Sequence, residues 1–213
     1  KASRYPDAVK LSVAAYASYK ALVAEILQYW QANAQSMSGD AADRLETYLT
    51  QEEEPSEEFP NGTSGYITEY RQIGTGALAQ ECDFARLLLA DAVKEAGAEG
   101  MDVTPLITNP RFTEANWKGW AVATSHSGNG WNMQENSGFT DVFPVAAGYN
   151  TAFEVSQEIT GLKDGIYELR VNAFHRPGEG MQGLYDGTDV IPARLFLNEF
   201  ATPVKSVYAD IID

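Results

Sequence analysis

Apolar residues recur with one spacing in the first half of the chain and another in the second. From Tyr5 to about Ala96 the spacing is helical. Val9, Val13, Tyr16, Val23, Leu27 and Trp30 fall three, four or seven apart and predict one face of a long helix, with Pro6 suited to its first turn. Asp40 is placed to cap a shorter helix whose inner side carries Leu45 and Leu49. A third long helix is predicted from about Ser64, its stripe starting on Tyr66, Tyr70, Ile73 and Ala77 and drifting to Leu78, Cys82, Ala85, Leu89 and Ala92. Between the second and third lies "QEEEPSEEFPNGTSG", whose acids and prolines predict a solvated loop. Each stripe must bury its apolar face, so residues 1–100 are expected to form an antiparallel three-helix bundle, with the tyrosines and Trp30 as packing residues.

The period changes at "EAGAEGMDV", where Gly97 and Gly100 stop the third helix. Beyond Asp102 short runs such as "KGWAVAT", "TAFEVSQEIT", "GIYELRVNAF" and "ARLFLNE" alternate with clusters of Gly, Pro, Asn and Asp, which predicts an antiparallel β-sandwich over 101–213. The clearest unit is a hairpin about "GLKDG". Its register places Ile159 opposite Tyr167, Gln157 opposite Leu169, Val155 opposite Val171 and Phe153 opposite Ala173 on a core face. Gln157 is the polar intruder on that face, and its amide is expected to tie the strand to neighbouring backbone.

Charge narrows the classes of partner. Thirty acidic against fifteen basic residues give a formal net charge of -15, which repels a phosphate backbone and argues against nucleic-acid binding. No apolar run reaches the ~20 residues of a membrane-spanning helix. Lys1 at the start predicts a trimmed product whose export signal has been removed. The single cysteine, Cys82, excludes an internal disulfide and a cysteine-based zinc site, and its place on the helical stripe predicts a core role. Asn61 opens an "NGT" triplet that would accept a glycan only in a eukaryotic secretory pathway.

The opposite face of the hairpin carries Glu154, Ser156, Glu158, Glu168, Arg170 and Asn172, with Arg170 diagonal to Glu154 and Glu158. Such a face is either a solvated surface laced by ion pairs or a polar platform able to meet sugar hydroxyls. Glu158 and Glu168 would stand about 5 Å apart, a separation used by retaining glycosidases, but Arg170 between them and the open sheet favour a non-catalytic role. His126 and His175 have no helper at metal or triad spacing, and no nucleophile-elbow, zincin, phosphate-loop or dinucleotide signature occurs. "NWKGWAVATSHSGNGW" contributes Trp117, Trp120 and Trp131, of which Trp120 reads as buried and Trp131 as the residue available for stacking on a pyranose ring. The loop "HRPGEGMQGLYDGTDV" brings His175, Arg176 and Tyr185 as further candidate contacts, since long loops on a rigid sandwich commonly carry binding. The candidate ligand-binding set is therefore Trp131, His175, Arg176, Tyr185, Arg170 and Asn172.

"DVTPLITNPRFTEANWKGW" together with "VSQEITGLKDGIYELRVNAFHRPG" resembles the galactose-binding-like β-sandwich (jelly roll) of secreted and surface proteins in Bacteroides-type gut bacteria. The resemblance covers about the second half of the chain and rests on an NPxF…GW opening and a Q…GLxxGxYxLxVxAFxRxG hairpin. It implies an α+β multidomain protein with a carbohydrate-binding-module-like sandwich, an extracellular or outer-surface address, and glycan binding without catalysis. The shared Gln, Tyr and Trp positions read as framework in that family. Related sandwiches commonly hold a structural calcium, though no ligand cluster here marks its site; no other cofactor is expected. The sandwich is expected to need strands beyond Asp213, supplied by a longer chain or another molecule. The alternatives to a glycan-binding protein of a polysaccharide-use system are a structural spacer or protein-docking module of a surface assembly, and a glycoside hydrolase fragment.

Overall fold

The computed structural model of the protein describes residues 4–70, 73–112, 118–124, 131–134, 145–148, 153–175, 182, 186 and 193–206. Over these the protein is a mixed α+β chain with helices α1 (Arg4–Asn33), α2 (Asp40–Thr50), α3 (Ser64–Tyr70) and α4 (Thr75–Ala96) and a single 3-10 turn at Thr104–Leu106. Short strands follow: β1 (Ala121–Thr124), β2 (Trp131–Gln134), β3 (Val145–Gly148), β4 (Phe153–Ser156), β5 (Arg194–Leu197) and β6 (Phe200–Pro203). They form three separate antiparallel pairs, β1 with β4, β2 with β3 and β5 with β6. The chain divides into two compact units, Lys1–Lys163 and Asp164–Asp213. The change of period near residue 100 is thus not where compactness divides the molecule.

Helix α4 is the centre of the first unit and packs against both α1 and α2. The main core joins Ile26 of α1, Leu45, Tyr48 and Leu49 of α2, and Ala85, Leu88, Leu89, Ala92 and Val93 of α4. A smaller cluster joins Tyr19, Ile67 and Leu78, with Cys82 half-buried against it. The predicted inner stripe of α1 is rotated: Tyr19 and Ile26 are its buried line, Tyr16, Val23, Leu27 and Trp30 flank it half-buried, and Val13 is 64% exposed. At about 100° per residue Val13 stands roughly 120° around the helix from Tyr19, whereas Trp30, Val23, Tyr16 and Leu27 stand roughly 20 to 80° from it, so Val13 is the member turned furthest from the buried line.

Within residues 4–96 the described residues form four helices where three were expected. The predicted third helix is broken into α3 and α4, with Gly74 in extended geometry as the residue before α4. Gly74 and Gly76 bracket the start of α4, and glycine propagates a helix poorly. The drift of the apolar stripe from Ile73 to Leu78 marks the same break. The far end follows expectation: α4 stops at Ala96 and Gly97 adopts φ 46° as a left-handed cap whose N–H reaches Val93 O. Gly39, rather than Asp40, precedes α2, and the cap comes from another helix: the Ala41 N–H donates to Glu95 Oε2 at 2.7 Å.

The acidic loop is exposed from Gln51 to Glu58 but is anchored by Phe59, which is buried against Tyr48 and Phe84 with ring centroids 5.8 and 6.4 Å away. Thr63 closes the loop by donating to Gln51 O and accepting from Glu53 N. Arg44 lies over the Phe59 and Phe84 rings and pairs with Glu58 at 3.0 Å.

The predicted hairpin is half present. Residues 154–160 alternate outward and inward, with Val155, Gln157 and Ile159 turned in as expected, although Phe153 is 47% exposed. The partner differs: β4 pairs with β1, Val155 opposite Val122, and residues 157–174 carry no strand. Of the residues expected on the second strand, Leu169, Val171 and Ala173 are exposed and Tyr167 is half-buried. The "GLKDG" turn is instead engaged by the helices, where Lys163 Nζ donates to Glu95 O and Ala96 O at 2.8 and 3.0 Å, capping α4.

Candidate functional site

The motif positions in the first unit form a framework knot. Gln157 Oε1 accepts from Thr108 N at 2.7 Å, while its Nε2 donates to Thr108 O at 3.0 Å and to Gly119 O at 2.7 Å. One side-chain amide thus meets both backbone groups of Thr108, as a paired residue in an antiparallel ladder would. Gly119 sits at φ 81°, and a Cβ there would stand 2.5 Å from Thr108 Cβ. Trp120 Nε1 donates to Asn109 O at 3.1 Å and its ring packs 5.0 Å from Phe112. Asn109 and Phe112 both take left-handed backbone, at φ 52° and 53°. The "NPRF", "KGW" and Gln157 segments are therefore fastened to one another, and the half-buried Trp120 is spent on packing.

In the second unit, Arg170 Nε and Nη2 grip both oxygens of Glu168 at 2.8 and 2.7 Å. Both side chains are open to solvent, at 83% and 69% exposed. The hydrogen bonds and charge of Arg170 lower the Glu168 carboxyl below its ordinary range, and Glu168 raises the guanidinium in return. Arg170 is thus held by Glu168, two residues before it in the same unit, and residues 166–174 carry no strand that would set the expected hairpin register. Asn172 is exposed on the same segment. His175 is half-buried and bridges to Ser206: its N–H donates to Lys205 O at 3.2 Å and its Nδ1 lies 3.2 Å from Val204 O. Trp131 heads β2 opposite Gly148, but its side chain lies outside the described residues, as do Arg176, Tyr185, Trp117 and His126. Of the six candidate contacts, then, Arg170 and Asn172 are described on one exposed stretch and His175 is engaged with the 204–206 backbone.

A buried polar group was missed from sequence. Glu81 is 3% exposed, and its two oxygens accept from Tyr48 Oη at 2.8 Å and Asn61 Nδ2 at 2.9 Å. Because Tyr48 gives its only proton to Glu81, Tyr19 donates to the Tyr48 oxygen, 2.9 Å away. Burial, chiefly, pushes both phenols well above their ordinary range. The signal was legible: Glu81 lies three residues after Leu78 and four before Ala85, a charge on the apolar stripe.

Elsewhere in the first unit a shallow hollow of about 200 Å³ is lined by Asp40, Ala41, Arg44, Leu88 and Asp91. Among the described residues no cluster of His, Cys, Asp or Glu is arranged to hold a metal ion, and no helix is long and apolar enough to cross a membrane. No protein-family model, no curated protein and no solved structure matches the chain.

Proposed function

We propose that the protein is a non-catalytic, surface-exposed or secreted binding protein whose ligand is a glycan. The observation that carries this reading is the open stretch from Glu168 to Phe174, in which a guanidinium-carboxylate fork, the Asn172 amide and the 56% exposed Phe174 ring follow one another. Planar donors and acceptors read sugar hydroxyls, and an aromatic ring offers a face for the C–H side of a pyranose. The resemblance of the second half to galactose-binding-like sandwiches points the same way and adds the outer-surface address. Glu168 is committed to Arg170, which makes it a poor partner for Glu158 in glycosidic cleavage.

A spacer or protein-docking module is the second reading, favoured by the exposed aliphatic side chains Ile166, Leu169 and Val171 in the same unit. Glycan-array screening separates the two. The glycan reading expects retention of at least one polysaccharide class by the wild type, weakened about tenfold or more by Arg170→Ala and by Trp131→Ala. Absence of any retained glycan removes it in favour of docking. Hydrolysis of a chromogenic glycoside that disappears in Glu158→Gln would overturn the non-catalytic assignment.

A further inference from the structure

We draw no further inference here: the strongest candidate, the apolar surface patch contributed by Ile166, Leu169, Val171, Phe196 and Phe200 in the Asp164–Asp213 unit, carries nothing because nothing in the structure shows what covers it.

Discussion

Glu81 is buried with two neutral hydrogen-bond donors, Tyr48 and Asn61, which makes each donor expensive to remove. Leaving a buried acceptor unsatisfied costs about 1–3 kcal/mol, and more when the acceptor is charged. Tyr48→Phe should therefore lower the unfolding free energy by at least about 2 kcal/mol in urea titrations. Tyr19→Phe should cost less, since Tyr48 keeps its own donation to Glu81. The same tyrosines set the alkaline limit. Their folded pKa values lie above the ordinary 10.0, so the folded state holds protons that the unfolded chain releases. Their contribution to stability should be level below pH 10 and then fall by about 1.4 kcal/mol per pH unit for each buried phenol. Tyr29, pushed up to about 12 by burial and then by the nearby Asp102 carboxylate, adds to the loss until it ionises. Thermal melts across the alkaline range, with phenolate absorbance recorded in parallel, check this: ionisation of the buried tyrosines before unfolding would contradict it. These residues were visible in the sequence as apolar-stripe members, but their mutual hydrogen bonds depend on the facing of three helices, which one-dimensional spacing does not specify.

At the scale of elements, the knot about Gln157 joins the 3-10 turn region to the strands. Its three backbone hydrogen bonds were anticipated in kind, because a polar residue at an inward position of an alternating run needs backbone partners. Which backbone it meets was not legible, since residues 108 and 119 lie 49 and 38 positions away along the chain. Gln157→Leu should cost about 1–3 kcal/mol by stranding those groups, and urea unfolding measures it. Two glycines offer a sharper contrast. At Gly119 an added Cβ meets Thr108 Cβ, fixed to the backbone, on top of φ 81°, whereas at Gly97 it meets only the flexible Lys163 side chain at φ 46°. Gly119→Ala should thus destabilise distinctly more than Gly97→Ala, whose cost should stay near the roughly 1–2 kcal/mol of a left-handed alanine. Equal losses would mean that Thr108 yields. The break between α3 and α4 shows the limit of periodicity at this scale: the stripe shifted by one position, from Ala77 to Leu78, without stopping, and the two glycines added the information that the helix is interrupted.

Over the whole molecule, helix positions were the most legible feature because burial against α4 enforces a period that each sequence stripe records. Strand partners were least legible. Alternation marks which side faces inward, as at Val155, Gln157 and Ile159, but not whether β1 or a later segment lies alongside. The stretch 166–174 lacks a ladder, so its amides should exchange with solvent faster than those of α4 in hydrogen-exchange mass spectrometry. Arg170→Ala should leave the melting temperature unchanged, because exposed ion pairs contribute little, which keeps its effect on glycan retention interpretable as binding. Glu95 has a different kind of importance: its carboxylate ends in the first turn of α2 while its carbonyl is held by Lys163. Anyone trimming the chain after residue 100 to obtain a tidy helical piece would retain α1 to α4 yet delete the lysine that seals the last of them. Fraying of that end would loosen Glu95 and, with it, the start of α2, so the shortened product should melt earlier than its intact parent.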